Sequence, residues 1–411
     1  MNALPRALEG LRVLDAAGPM GNYCGKLLAD LGADVILVEP PGGTRMRFEP
    51  PFIGDVPGLD RSLAHAYYNA NKRGVTLDLD SPDGQRLFAR LAATSDIVLD
   101  TETPGVMARR GLDYARLAEL KLSIVCASIT PFGQDGPYAQ HAAEDVTALA
   151  MGGLLYLAGY KDAPPVRMHG NQAILCANLF AAVATLLATL ESEATGRGQH
   201  IDVSMQECVT MALETSIQFF DLEGEVRKRH AGEQRFAGTG VFDCADGQIY
   251  LMAGGIGANK FWGRTIDWFT EEGMSGVAQF REPRWEQIEF LRSEEAKRIF
   301  AGIFGPWVST RRKDELYREG QRRKIPIATI SQPSDLLSSD QLAHRGYFVD
   351  LLGLPAEVAD KRMPGAPYQL SRTPWSLRLA APQLGEHNAE IFGALGVGAA
   401  ELGRLYARKA I

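Results

Sequence analysis

The sequence predicts an α/β protein whose first part, about 200 residues long, forms a doubly wound, Rossmann-like parallel sheet. Short apolar segments typical of buried strands alternate there with segments of helical periodicity. The first strand, helix and strand follow one another within about 30 residues, as a right-handed β-α-β crossover requires. The pattern changes near residue 215, so a second, smaller α+β domain is expected after that point.

The elements of the first part are delimited by turn residues. Gly32 ends the first helix, and two prolines and two glycines follow the second strand at residues 40–43. The pattern predicts strands over residues 11–15, 34–39, 74–79, 96–100 and 125–129, and helices over residues 23–31 and 82–94.

The region after residue 215 has different signals. Residues 240–251 read as a β-hairpin with Asp246 and Gly247 in its turn. Helices are expected near residues 260–269 and 293–304, and a helical pattern returns after residue 381. The charge-dense segments 225–230 and 311–324 are interpreted as solvated surface.

Composition excludes several classes of protein. The 411 residues are 45% hydrophobic and 23% charged, which is typical of a globular chain. The net charge of -7 gives no basic footprint for nucleic acid. Five cysteines without a CxxC pair favour buried free thiols in a reducing compartment, and no signal peptide is visible, so a cytoplasmic location is expected.

One segment imitates a membrane span. Residues 173–190 contain no charged side chain, but they include Asn178, Thr185 and Thr189 and are rich in alanine. A run of 18 residues is short for a membrane helix, and we interpret it as a helix packed on the sheet. No membrane partner is expected.

Common catalytic and cofactor motifs are missing from the sequence. The turn at residues 18–21 lacks the third glycine of a dinucleotide fingerprint, and no P-loop, HExxH or GxSxG motif occurs. His387 and Glu390 have helical spacing but no third ligand nearby, so no metal site is predicted. Lys72, Arg73 and Arg109 lie beside predicted strands, where cations suit a phosphorylated ligand, although ordinary solvated charges explain them equally well.

Six blocks of sequence resemble the family III CoA-transferases, the CaiB/BaiF group that includes formyl-CoA transferase, carnitine CoA-transferase and α-methylacyl-CoA racemase. They begin with LRVLDAAGPMGNYCGKLLADLGADVILVEPP and NKRGVTLDLDSPDGQRLF. The blocks keep their order along nearly the whole chain, and they occupy residues 11–41, 71–88, 195–209, 244–255, 364–375 and 381–396.

The resemblance implies a fold and a ligand. Family members have a large α/β domain interrupted by a small inserted domain, and two subunits interlock as a dimer. Applied here, this gives residues 1–215 and 331–411 to the large domain and residues 216–330 to the insertion. The large domain would bind CoA as substrate, with no permanently bound cofactor. Its expected CoA contacts are Lys72, Arg73, Arg109, Pro19 and Gly21.

The resemblance also identifies a missing catalytic group. The family mechanism uses an aspartate at the start of a helix to attack the acyl-CoA thioester. That position holds Ile174 here, and no Asp or Glu occurs between Asp162 and Glu191. The racemase histidine is replaced by Glu144, so no catalytic residue is assigned, and Glu144 and Asp145 are only weak candidates.

Three hypotheses for the function follow. In the first, the chain is the nucleophile-deficient subunit of a heteromeric CoA-transferase, paired with a homologous subunit that carries the aspartate. This arrangement resembles the two-subunit benzylsuccinate CoA-transferase type, with succinyl-CoA as a possible donor. In the second, a stand-alone acyl-CoA isomerase or lyase uses Glu144 or Asp145. In the third, the chain is a non-catalytic acyl-CoA-binding regulator.

Overall fold

The structure, a computed structural model, describes residues 5–254, 259–356 and 358–411, with the side chains of Asn259 and Lys260 also outside the description. These residues form two compact units. The first unit contains the described residues of Met1–Leu155, Met168–Ile217 and Ala343–Ile411. The second contains those of Tyr156–Arg167 and Gln218–Leu342. The segment 156–167 and residues 331–342 therefore group with the second unit, whereas the sequence boundaries assigned them to the large domain.

The first unit is built on a six-stranded sheet with the strand order β3-β2-β1-β4-β5-β6. Every neighbouring pair is parallel, which confirms the doubly wound α/β class. The strands are β1 (Arg12–Ala16), β2 (Asp34–Glu39), β3 (Arg73–Thr76), β4 (Ile97–Asp100), β5 (Val125–Thr130) and β6 (His200–Ser204).

Helices cover both faces of this sheet. The helices up to residue 223 are α1 (Asn22–Asp30), α2 (Leu63–Tyr68), α3 (Pro82–Ala92), α4 (Val106–Arg109), α5 (Tyr114–Leu120), α6 (Asp145–Met151), α7 (Leu154–Leu157), α8 (Gln172–Thr195), α9 (Met205–Met211) and α10 (Ser216–Glu223), of which α10 lies mostly in the second unit.

Two apolar cores hold the layers together, one on each face of the sheet. One core joins the sheet to α1, α6, α8 and α9, and is rich in alanine and valine. The other joins it to α3 and α5, and also to residues 391–411 at the C-terminus. The C-terminal segment therefore belongs to the large unit.

The second unit is a smaller α+β body. Its antiparallel sheet has the order β7-β8-β9, and its core is rich in tryptophan and phenylalanine. The hairpin expected at residues 240–251 is present as β7 and β8. The remaining strands are β7 (Thr239–Cys244), β8 (Gly247–Met252), β9 (Ile327–Ile330), β10 (Phe348–Asp350) and β11 (Arg362–Pro364). The pair β10-β11 belongs to the first unit.

The remaining helices complete both units. They are α11 (Asn259–Glu271), α12 (Ile288–Arg292), α13 (Glu294–Val308), α14 (Lys313–Arg323), α15 (Pro333–Leu337), α16 (Asp340–His344), α17 (Asn388–Ala394) and α18 (Ala399–Ala407). Short 3₁₀ turns occupy Arg45–Phe48, Ile53–Asp55, Val277–Arg281 and Pro283–Glu286.

Helix α8 contains the uncharged stretch seen in the sequence. Within the described residues it is the one helix whose length and apolar composition would be sufficient to cross a bilayer, but core helices satisfy the same criterion. One side of α8 packs into the alanine-rich core. Its opposite side exposes an apolar stripe formed by Leu179, Phe180, Val183, Leu187 and Leu190.

Candidate functional site

The candidate site lies where the strand order of the sheet reverses, between β1 and β4. Ligands of open parallel sheets bind at the carboxyl ends of the strands that flank such a switch point. The turn at residues 18–21 follows β1, and the loop at residues 101–105 follows β4. The two segments touch, because the Gly18 N–H donates to Thr101 Oγ1 at 2.8 Å.

Gly21 is required by this close approach. A β-carbon added at Gly21 would lie 2.5 Å from the Ala17 β-carbon and 2.8 Å from Thr101 Cγ2. Both distances are too short for carbon atoms, so a larger residue would push the turn and the loop apart. Pro19 is half-buried in the same turn.

A buried amide joins α8 to this turn. Asn178 is fully buried, and its Oδ1 accepts a hydrogen bond from the Cys24 N–H at 2.7 Å. Its Nδ2 donates to the Met20 carbonyl at 2.6 Å and to the Ile174 carbonyl at 2.7 Å. Since the first N–H groups of a helix lack partners within the helix, the Asn178 side chain caps the start of α1 from outside. The sequence reasoning missed this role, although a lone amide in an apolar helix was the available signal.

The position that the family resemblance assigns to the nucleophile lies at the beginning of α8. Ile174 is the third residue of this helix, and its side chain packs on the alanine-rich core. The first backbone N–H groups are capped by Asp145, whose Oδ1 accepts from Ala173 N–H at 2.8 Å and from Ile174 N–H at 3.1 Å. Asp145 is 4% exposed, and its visible role is helix capping.

Glu144 lies on the other side of the same chain segment. Its carboxylate is largely exposed and forms an ion pair with Arg45 at 3.3 Å. An exposed, ion-paired carboxylate is in an environment much like that of any surface glutamate. Glu144 therefore lacks the desolvated setting that tunes a catalytic base, whereas Asp145 is buried and engaged in capping α8.

Lys72 is entirely buried below the turn. Its ammonium donates to Asp15 Oδ2 at 2.7 Å, to the Asn22 carbonyl at 3.0 Å and to Asn69 Oδ1 at 2.9 Å. These contacts use all three donors of a lysine. Burial raises the pKa of Asp15, and the neighbouring Lys72 ammonium partly offsets that effect. Lys72 therefore holds the end of β1 to the start of α1.

The two arginines expected to bind CoA lie in different places. Arg73 points toward the amino ends of the strands, where it pairs with Asp34 at 2.7 Å and with Glu390 at 2.6 Å. Arg109 ends α4, is exposed, and follows the loop at residues 101–105. Of the predicted cations, Arg109 is the one that the fold presents to solvent near the switch point.

A cavity of about 320 Å³ lies beneath α4, against the sheet. Asp100 and Ser128 are buried within it, and His200 lies on its rim. Ser128 Oγ is 2.7 Å from Asp100 Oδ2 and 3.0 Å from His200 Nε2. Burial raises the pKa of Asp100. The sequence reasoning missed Ser128 and His200, because β6 was not predicted.

The site can therefore bind and orient a ligand. No carboxylate occupies position 174 to attack a thioester. Among the described residues, no three His, Cys, Asp or Glu side chains are grouped so that they could hold a metal ion. The five cysteines are free thiols. Burial raises the pKa values of Cys24, Cys126 and Cys208, so these thiols are poor nucleophiles at neutral pH.

Comparisons with known proteins agree with the family resemblance. The chain is 39% identical over 400 residues to the succinyl-CoA:(R)-benzylsuccinate CoA-transferase subunit BbsE of Thauera aromatica, covering 96% of this chain and 95% of that one. It is 29% identical to a succinyl-CoA–L-malate CoA-transferase alpha subunit of Chloroflexus aurantiacus, covering 98% of this chain and 92% of the relative.

A solved structure shows the same architecture. A CAIB/BAIF family protein from Brucella suis superposes with a TM-score of 0.83 and is 27% identical, covering 95% of this chain and all of that chain. The model of CoA-transferase family III matches residues 8–388. The chain therefore belongs to CoA-transferase family III.

Proposed function

We propose that this chain is the nucleophile-deficient subunit of a heteromeric CoA-transferase, paired with a homologous subunit that supplies the attacking aspartate. Succinyl-CoA is the proposed donor, and an aryl-substituted succinate is the proposed acceptor. The assembly would act in the cytoplasm. The substrates are carried over from the names of the similar subunits.

The observation that carries the proposal is the chemistry at position 174. Ile174 has the helix position of the family nucleophile, but a hydrocarbon side chain cannot form an acyl anhydride or a CoA thioester. The turn at residues 18–21 and the start of α8 are joined by hydrogen bonds of a buried Asn178.

The exposed side of α8 supports the pairing with a second chain. The apolar stripe consists of five large side chains, each of which is 44–63% exposed. A continuous apolar surface of this kind is typical of a protein–protein interface. A homologous subunit is the proposed occupant, because the two relatives are named as subunits of CoA-transferases.

CoA is proposed to bind on the large unit, with Arg109 as its exposed cationic contact. Lys72 contributes indirectly, because its buried hydrogen bonds hold the turn that contains Pro19 and Gly21. Arg73 is proposed to stabilise the amino ends of β2 and β3 through Asp34 rather than to touch the ligand.

The test is a reconstitution assay. The chain is purified alone and together with a family III homologue that carries the aspartate, and transfer of CoA from succinyl-CoA to benzylsuccinate is measured. We expect activity only for the mixture. Robust transfer by the chain alone would overturn the proposal.

Two controls sharpen this assay. Hydroxylamine cleaves an enzyme–CoA thioester, so inactivation by hydroxylamine after incubation with succinyl-CoA should map to the partner and not to this chain. A partner in which the aspartate is replaced by alanine should give an inactive mixture. If that mixture retains full activity, the catalytic group lies on this chain, and the assignment of Ile174 as a lost nucleophile is wrong.

A further inference from the structure

The cavity beneath α4 contains a hydrogen-bonded array of three side chains, Asp100, Ser128 and His200. They come from three adjacent strands, β4, β5 and β6, and lie on one face of the sheet. The register pairs Asp100 on β4 with Ser128 on β5. Ser128 in turn pairs with Asp202 on β6, and His200 lies two residues before Asp202, nearer the amino end of that strand. Asp100 is 7% exposed and Ser128 is 5% exposed, whereas His200 is solvent-accessible.

The Ser128 hydroxyl has a single proton, so it can donate to Asp100 or to His200 but not to both at once. If Ser128 donates to an ionised Asp100, His200 must donate to Ser128 through Nε2–H. If Asp100 carries a proton on Oδ2, it donates to Ser128, and Ser128 donates to a bare His200 Nε2. Moving the Asp100 proton to Ser128 and the Ser128 proton to His200 converts a neutral array into an ionised Asp100 facing a protonated His200.

No lysine or arginine contacts Asp100 in the described residues, so this carboxyl depends on the array for compensation. Its Oδ1 accepts the Glu102 N–H at 3.1 Å. Burial raises the pKa of Asp100, and a hydrogen bond from Ser128 lowers it. A neutral array is therefore favoured over an isolated buried anion.

The array adjoins the loop that leads to Arg109. The Asp100 carboxyl accepts a hydrogen bond from the backbone N–H of Glu102. Thr101, the first residue after β4, accepts a hydrogen bond from the Gly18 N–H across the switch point. The charge of the array consequently lies at the base of the proposed CoA site.

Other titratable groups face the same cavity from each neighbouring element. Glu102 is paired with Arg110 at 2.8 Å, and Arg110 is also paired with Asp80. The His200 ring stacks on Tyr114. Asp113 before α5 and Cys126 on β5 also line the cavity, and Asp202 on β6 is the register partner of Ser128.

We infer that Asp100, Ser128 and His200 form a positioning array that shares one proton. Loss of this proton weakens CoA binding, because it adds a negative charge beneath the proposed CoA site. The inference rests on the proposed function, because CoA is the polyanion whose binding is affected. At low pH the array is neutral. As the pH rises and the proton leaves, the array becomes an anion and repels the ligand.

Two substitutions favour opposite states of the array. In Asp100→Asn, the amide Nδ2 donates to Ser128, so Ser128 donates to His200 and the array cannot become an anion. In His200→Gln, the amide donates to Ser128, so Ser128 donates to an ionised Asp100 and no histidine can hold the shared proton. Asp135→Asn is the matched control, because Asp135 is an exposed carboxylate in the loop after β5.

The experiment measures the Kd of CoA for the complete chain by calorimetry from about pH 5 to about pH 8. A unit charge at about 10 Å and an effective dielectric constant of about 40 changes affinity about fourfold. We expect wild-type Kd to equal that of Asp100→Asn at low pH and to become about fourfold weaker at high pH. His200→Gln should bind CoA weakly wherever its Asp100 is ionised, and the Kd of Asp135→Asn should follow that of the wild type.

The ratio of the wild-type Kd to the Asp100→Asn Kd at each pH cancels the titration of CoA itself. A ratio that stays constant with pH overturns the inference. A second readout requires no ligand: in Asp100→Asn, ¹⁵N NMR should find the His200 proton on Nδ1. A proton on Nε2 overturns the array. If His200 shows the expected tautomer but no form of the chain binds CoA, the electrostatic role fails together with the proposed function, while the array itself is confirmed.

Discussion

Replacing Lys72 with methionine tests whether this residue is a buried structural ion or a surface ligand. Lys72→Met keeps the length of the side chain and removes the charge, which leaves Asp15 without its counter-ion in a fully buried site. Breaking one side of a buried ion pair costs about 3–5 kcal/mol. We expect the free energy of unfolding of the first unit to fall by about that amount.

The pH dependence has a defined sign. Without Lys72, burial raises the pKa of Asp15 further above the value in the unfolded chain, so the folded state retains a proton that the unfolded state releases. The variant should then be least impaired at low pH and lose stability as the pH rises through that raised pKa.

Urea unfolding should be followed by far-ultraviolet circular dichroism, because four of the five tryptophans lie in the second unit and report poorly on this site. Asp15→Asn in the Lys72→Met background restores a neutral pair, so the double variant should be more stable than Lys72→Met alone. A Lys72→Met protein of wild-type stability with weakened CoA binding would refute the structural role and favour direct ligand contact.

Three other substitutions test the site and its surroundings. Asn178→Ala removes hydrogen bonds between α8 and the first turn and should destabilise the protein by about 2–4 kcal/mol in urea unfolding, whereas the exposed amide variant Gln172→Ala should cost less than about 0.5 kcal/mol. Asp145→Ala should cost about 1–2 kcal/mol by uncapping α8, and Asp145→Asn should recover most of this stability; if Asp145→Asn abolishes transfer by a stably folded complex, the residue is a base and not a cap. Leu187→Glu should leave the monomer stable and prevent association with the partner in light-scattering measurements, and an unchanged mass would exclude the exposed side of α8 as the interface.

Four of the six strands of the large unit were predicted to within one residue at each end, because buried parallel strands are continuous apolar runs bounded by turns. The prediction for residues 34–39 matches β2, whereas that for residues 74–79 runs three residues beyond the end of β3. By contrast, β6 was missed: it alternates polar and apolar residues, and it forms the edge of the sheet.

The site was harder to predict than the fold, because its contacts join distant parts of the chain. The sequence shows that Lys72 is a cation beside a strand, but its partner Asp15 is 57 positions away. Asn178 binds groups more than 150 positions away. Local spacing cannot reveal such pairings. The assignment of the nucleophile position to Ile174 rests on the family resemblance and stays a prediction.

The fold is compatible with either an apolar or an acidic side chain at position 174. The start of α8 is capped by Asp145, so the helix does not require a polar side chain at Ile174. Ile174→Asp should accordingly fold: the lost apolar contact costs about 1–2 kcal/mol, and an acidic residue near a helix N-terminus regains about 0.3–1 kcal/mol. If Ile174 occupies the nucleophile position, as proposed, this variant should form a hydroxylamine-sensitive CoA thioester detectable by mass spectrometry. Ile174→Asn is the control. A folded Ile174→Asp chain that never forms the adduct would show that the loss of function extends beyond one side chain, and that the CoA site itself has been dismantled.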